Sequence, residues 1–298
     1  MDRNKQLTAY RYAGSSAHYP LATALMDTVI VTGSFDNLRS NHVRFLQEAA
    51  KLGKVHVALW SDETVQALMG GAPTFPERER SYLLESLRFV DQVTLVRGRI
   101  EPDALPDLGA AQPHTWIVGE ESDAPAKRAC AQARGIAYRI ISNQDLSGFP
   151  VPAFVPPASD SARKRVIVTG CFDWFHSGHV RFFEEASGLG DLYVVVGHDA
   201  NIRLLKGEGH PLLSQDERLY MVHSVRCVHQ AMISTGHGWL DAEPEIALLK
   251  PHFYVVNEDG DKPEKRAFCA AHGIEYVVLK RIPKEGLPKR ESTVLRGY

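Results

Sequence analysis

Cysteine is scarce in this sequence, and so is any apolar run of membrane length. The four cysteines, Cys130, Cys171, Cys227 and Cys269, stand far apart, with no pair at metal-ligand spacing. Neither a disulfide framework nor a cysteine metal site is expected, and a reduced, cytoplasmic setting is. No apolar stretch approaches the roughly 18 residues of a membrane span. Residues 1–26 read as a polar and aromatic N-terminal extension, with Leu21 to Met26 too short for a signal-peptide core. Neither sign of charge dominates, since 34 Lys and Arg face 36 Asp and Glu. A general nucleic-acid binder carries a basic excess, so neither nucleic acid nor a membrane is expected as a partner.

What is present is ordinary globular composition, 44% apolar and 23% charged over 298 residues, enough for two domains. Those two are copies of each other. Val29-Ile30-Val31-Thr32-Gly33-Ser34-Phe35-Asp36 returns as Val166-Ile167-Val168-Thr169-Gly170-Cys171-Phe172-Asp173, an offset of 137. The same offset pairs Ser40 with Ser177 and His42-Val43-Arg44-Phe45 with His179-Val180-Arg181-Phe182. At an offset of 138, Glu79-Arg80 pairs with Glu217-Arg218, Arg88 with Arg226, and Lys127-Arg128-Ala129 with Lys265-Arg266-Ala267. Twelve identities within residues 29 to 45 exclude coincidence. The expected organisation is an extension over 1–26, one domain over 27–146, a proline-rich linker over 147–163 and a second domain over 164–298.

Within each half strands alternate with helices. In the second, Arg165 to Val168, Leu192 to Val196, Phe253 to Val256 and Tyr276 to Leu279 read as buried strands. His179 to Ser187, Asp216 to Val225 and Lys262 to Ala271 have helical period. That alternation predicts an α/β fold of two tandem Rossmann-like domains with parallel sheets, whose ligands bind beyond the carboxyl ends of the strands.

The segment Gly170-Cys171-Phe172-Asp173-Trp174-Phe175-His176-Ser177-Gly178-His179 joins the first strand of the second half to its first helix. A helix N-terminus offers unpaired N–H groups to an anion, and Gly178 lets the backbone come close. The string resembles the GxFDxxHxGH signature of the cytidylyltransferase-like nucleotidyltransferases. That superfamily includes glycerol-phosphate and ethanolamine-phosphate cytidylyltransferases and adenylyltransferases such as archaeal-type FAD synthetase. The resemblance implies transfer of a nucleoside monophosphate to a small phosphate- or phosphonate-bearing acceptor, with CTP favoured over ATP by motif order and Mg²⁺ carried on the triphosphate. Carried over to this chain, it makes His176, His179, Lys206 and Arg218 catalytic. It makes Thr169, Gly170, Cys171, Phe172, Gly178, Arg281, Lys289, Ser292 and Thr293 binders of nucleotide or phosphate, the last two as a pair opening the last helix. Asp173 is expected to be structural, and no side chain is expected to ligate metal.

The chemistry suits such residues. A phosphate oxygen attacks the α-phosphorus and pyrophosphate leaves, so catalysis reduces to alignment and charge neutralisation. One cation about 4 Å from a phosphate oxygen is worth roughly 4 kcal/mol at an effective dielectric near 20.

The first half has lost this set. Arg39 stands for His176, Asn41 for Gly178 and Met69 for Lys206. It reads as a silent scaffold. Relatives commonly pair through a segment of the form R-Y-V-D, which Arg88-Phe89-Val90-Asp91 and Arg226-Cys227-Val228-His229 resemble. The two halves are therefore expected to form an internal pseudo-dimer, with further oligomerisation open. A nucleotide-binding regulator and an aminoacyl-tRNA synthetase fragment are the competing readings.

Overall fold

The computed structural model describes residues 27–98, 100–108, 113–158, 162–292 and 294–295. The N-terminal extension, Thr293 and Arg296 lie outside them. In the first half the order is β1 (Thr28–Gly33), α1 (Ser40–Ala50), β2 (Lys54–Trp60), α2 (Asp62–Met69), α3 (Glu77–Glu85), β3 (Gln92–Val96), β4 (Thr115–Gly119), α4 (Pro125–Ala133) and β5 (Ala137–Ile141). The second half repeats it as β6 (Arg165–Gly170), α5 (Ser177–Ser187), β7 (Asp191–Val196), α6 (Asp199–Lys206), α7 (Gln215–His223) and β8 (Val228–Ile233). It continues through α8 (Glu243–Leu249) to β9 (Phe253–Asn257), α9 (Pro263–Ala271) and β10 (Glu275–Leu279).

Each half builds a five-stranded parallel sheet, ordered β3-β2-β1-β4-β5 and β8-β7-β6-β9-β10. The central strands are apolar without alternation because helices cover both faces. Val29, Ile30 and Val31 are fully buried, as are Val166, Ile167 and Val168. In the second sheet the chain runs from β6 outward through β7 and β8, then returns to the other side of β6 with β9. The switch point between β6 and β9 is where such sheets open a crevice at their carboxyl ends.

Local physics moves several boundaries from those the periodicity predicts. Helix α5 begins at Ser177 rather than His179, because the His176 side chain caps it and accepts the Gly178 N–H at 3.1 Å. The helix expected to reach Val225 stops at His223, since Val225 leaves it to pair with Leu87 of the first half in an antiparallel bridge. Lys206 is the last residue of α6, not part of a loop, with Gly207 following at φ 86°.

The halves face each other about a pseudo-twofold axis at that bridge. The backbone N–H groups of Arg88 and Arg226 donate to Ser224 O and Ser86 O at 3.0 and 2.8 Å. Each guanidinium then crosses over. Arg88 donates to the carbonyls of Val225 and Val228 at 3.0 and 2.8 Å, and Arg226 to those of Leu87, at 3.0 Å, and Val90. Helix α1 packs on α7 and α3 on α5. Val180, Tyr220 and Met221 of the second half join one buried cluster with the core of the first. The fold is thus a pseudo-dimer of two tandem Rossmann-like domains. The segment expected as a linker makes contacts at two of its described residues: Val155 exchanges two hydrogen bonds of 2.8 Å with the Gln230 side chain, and Phe149 lies against Tyr220.

Candidate active site

At the carboxyl ends of β6 and β9 opens a cleft of about 1030 Å³, counted out to its mouth. Its floor is the turn Thr169 to Asp173, and its walls are the start of α5, the end of α6 and the strap that follows β10. The turn is strained. Phe172 takes φ 53°, in the left-handed region that a bulky side chain seldom occupies. Gly170 makes this conformation feasible, since a Cβ there would sit 2.7 Å from the Phe172 ring. The ring in turn lies edge-on to His179, with centroids 5.3 Å apart.

His176 and His179 stack with ring centroids 4.0 Å apart. His176 is 1% exposed, and its Nδ1 accepts from Gly178, which puts the proton on Nε2. That Nε2 is buried without a partner, and so is Nδ1 of His179. Buried polar atoms left unpaired are costly, so two of them side by side in a cleft mark a place for a polar ligand. Burial, with Arg281 and Arg290 adding to it, pushes His176 down to about 3. Burial, His176, Arg281 and Lys206 push His179 well below the usual histidine range. Both rings are therefore neutral at pH 7 and offer N–H donors without a charge. Gly178, in the cleft lining, also leaves room for this arrangement: a Cβ would meet the His176 ring at 2.9 Å.

The remaining expected residues divide. Thr169, Cys171, Lys206, Arg281 and Ser292 line the cleft. The Thr169 hydroxyl pairs with that of Tyr254 at 2.8 Å, and burial raises the Cys171 thiol. Arg281 is held by Asp259 at 2.8 Å, and Ser292 donates to Trp174 O at 3.2 Å. Asp173 accepts the N–H groups of Leu212 and Leu213, the structural role expected of it.

Two expectations are corrected. Arg218 is fully buried and outside the cleft lining, its guanidinium committed to Leu213 O, Cys171 O, Gly197 O and Asp199. It braces the floor rather than meeting phosphate, as its twin Arg80 does with Phe75 O, Ser34 O, Trp60 O and Asp62. Lys289 pairs with Glu291 at 3.8 Å and lines a smaller neighbouring cavity instead. The N–H groups of Val294 and Leu295 donate to Glu291 O at 3.0 and 3.2 Å, and Thr293 lies outside the described residues.

Lys265 was missed. It lines the cleft from α9, with its ammonium 5.6 Å from the Tyr254 ring centroid, and burial lowers it from the usual lysine range. Its position beyond β9, across the switch point, was the signal that could have found it.

The buried histidines predict acid sensitivity. Unfolded histidine protonates near pH 6.5. Native His176 stays neutral to about 3, and His223, buried beside Arg88, to about 4. Below pH 6.5 the unfolded chain binds more protons, so stability present above that pH is lost as pH falls. Each group removes about 2 kcal/mol by pH 5. Thermal melts at pH 7.5 and 5 should show a fall of several degrees, which His223→Asn or His176→Asn reduces. Identical melting temperatures would contradict the assignment of neutral buried rings.

Among the described residues no group of three or more His, Cys, Asp or Glu could hold a metal ion, and no helix is long and apolar enough to cross a membrane. Asp173, Asp259 and Glu291, the cleft carboxylates, all have N–H or cationic partners.

Sequence comparison meets this geometry. The chain is similar to the bifunctional protein HldE of Geobacter sulfurreducens, 40% identical over 150 residues, 46% of this chain and 31% of that protein. It resembles HldE of Pelobacter propionicus at 35% identity over 148 residues, 48% of this chain and 28% of that protein. The chain thus spans less than a third of these HldE proteins. It is 44% identical over 135 residues to the FAD synthase of Methanocella paludicola, 44% of this chain but 93% of that one. The family model described as cytidylyltransferase-like matches residues 30–159 and again residues 167–287, one match in each half. By fold, by motif and by these matches, the chain belongs to the cytidylyltransferase-like nucleotidyltransferase superfamily.

Proposed function

We propose that the second half, residues 164–298, transfers a nucleoside monophosphate from a nucleoside triphosphate to a small phosphate- or phosphonate-bearing acceptor, and that the first half, 27–146, is silent. The observation that carries this reading is the pair of buried, unpartnered imidazole nitrogens facing a cleft bordered by Lys206, Lys265 and Arg281. An acceptor phosphate oxygen forms the new bond to the α-phosphorus while the bond to the β-phosphate oxygen breaks, and pyrophosphate carries off the electron pair. His176 Nε2 and His179 donate to the oxygens on the phosphorus, where negative charge grows. Lys206, Lys265 and Arg281 balance the triphosphate. Thr169, Gly170, Cys171, Phe172 and Gly178 shape the floor, Ser292 borders the strap side, and Thr293 is proposed as a phosphate binder with it. Magnesium, a hard ion that keeps several waters and binds substrate phosphates, fits a site whose own carboxylates are taken. It would arrive on the triphosphate and neutralise it there.

The donor proposed is ATP, because the relative whose name states its product and which this chain covers almost fully makes FAD. CTP is the second reading, supported by the order of the motifs. Four free thiols suit the proposed cytoplasmic setting. Pyrophosphate release with ATP, CTP, GTP and UTP, against flavin, glycerol and ethanolamine phosphates, tests both readings. Nucleotide-dependent stabilisation without pyrophosphate from any combination would instead leave a nucleotide-binding regulator.

A further inference from the structure

The first half reaches the residues behind the second half's cleft through one carboxylate. Glu79, on α3, has no exposed surface. Its Oε1 accepts the Ser177 hydroxyl at 2.6 Å, and its two oxygens receive Arg290 Nε at 3.2 and 3.0 Å and Nη2 at 2.7 Å. Ser177 is the first residue of α5, next to the His176 cap. Arg290 belongs to the strap after β10, and its carbonyl accepts Arg281 Nη2 at 3.0 Å. One side chain of the first half thus fastens two walls of the second half's cleft.

Apolar contacts follow the same path. Phe75 of the first half lies under the Arg290 guanidinium, 5.0 Å from its ring centroid, and forms a buried cluster with Trp174 and Leu295. The pseudo-symmetric twin shows what is particular here. Glu217 accepts the Ser40 hydroxyl at 2.5 Å and acts on the charge of Arg39, which stands just before α1, rather than on a strap after the last strand.

An ion pair with its carboxylate fully buried and its guanidinium one-fifth exposed adds little net stability over an apolar contact, and removing the arginine strands a buried charge. The interface is already closed by the crossed arginines and the shared core. What the Glu79–Arg290–Ser177 contact supplies is fixed geometry beside the histidines. We propose that Glu79 is a positioning residue for the second half's site, so that the first half completes the active site it does not itself possess. This rests on the nucleotidyl-transfer reading.

The test compares Glu79→Gln with Glu217→Gln in the full chain. Displacement of about an ångström at a reacting centre can cost roughly 10²-fold, so Glu79→Gln should lower kcat by about 10 to 10²-fold with a smaller change in the nucleotide KM. Glu217→Gln should stay within about twofold of the unaltered chain. Arg290→Gln should match Glu79→Gln, and the double variant should lose no more than either, as expected of one coupled unit. Hydrogen exchange over residues 281–292 should quicken in Glu79→Gln and not in Glu217→Gln. If Glu79→Gln does not fold, Arg290→Lys, which keeps the charge but loses the two-pronged geometry, carries the same comparison. A folded Glu79→Gln with unaltered kcat and strap exchange overturns the proposal, as does an equal loss in Glu217→Gln. A full chain without transferase activity overturns the functional reading instead, and the exchange arm still decides whether Glu79 anchors the strap.

Discussion

Alanine in place of His176 or His179 lowers turnover by about 10²–10³-fold, the loss that follows removal of one preorganised donor to a transition state. The two rings sit where they do because of several independent constraints. Gly178 leaves room for one, Phe172 in its strained turn flanks the other, and each ring stacks on its neighbour. His176 also caps α5, so its truncation costs about 1 kcal/mol of stability as well. His176→Asn separates the effects, since asparagine caps a helix well but brings no imidazole. It should melt near the unaltered protein and remain as slow as His176→Ala. Asn41→Ala, at the matching place in the first half, should leave turnover unchanged. Steady-state rates and thermal melts on the four variants and the unaltered protein decide the matter. A His176→Asn variant of normal rate would remove the ring from the mechanism and leave only a cap.

A loss of stability as well as of activity is expected when the chain is cut near Arg163 and the second half is made alone. Val180, Tyr220, Met221 and Val225 are at most 3% exposed in the intact chain, and they lie against the first half. At about 1.5–3 kcal/mol for each buried side chain, uncovering four puts roughly 6–12 kcal/mol at stake, the scale of a whole domain's stability. Arg226 would lose the carbonyls of Leu87 and Val90, and Arg290 would lose Glu79. The isolated half is expected to self-associate or precipitate and to lose at least 90% of its activity, with recovery when the first half is added back. Sedimentation and activity on the two fragments measure this. A monodisperse, fully active fragment would show that the first half serves another purpose.

Much of this arrangement was legible in the sequence because a repeat of constant offset is a strong signal. It placed Val29 on Val166 and so matched the first strand of one sheet to its twin. The pairing through Arg88 and Arg226 was legible too, although Leu87 and Val225, one residue earlier, are the pair at its centre. Helix α6 and strand β8 were missed for local reasons. The cap of α6 is a histidine, His198, which composition does not mark, and β8 carries His229 and Gln230 within an apolar run. Conserved-looking positions also misled. Arg218 matched a family arginine, yet a residue can recur because it braces a loop, and only its four hydrogen-bond partners distinguish that from contact with substrate. Glu79 was visible as a repeat identity and nothing more. Its partner lies 211 residues away, and no local pattern announces a contact at that distance.

Arg39 lies flat on Trp174, 3.4 Å from the ring centroid, where its twin His176 looks into a cleft instead. In a homodimer, one gene writes each residue into both subunits, so a substitution that suits one side of the axis is imposed on the other. Duplication within one chain lifts that constraint. Arginine could be tried at one copy of this position while histidine was kept at the other, and the linker could replace a strap on one side only. The tether also makes encounter between the halves independent of how much protein the cell holds. Natural selection is thereby free to treat the two copies as different genes while physics continues to treat them as one folded body.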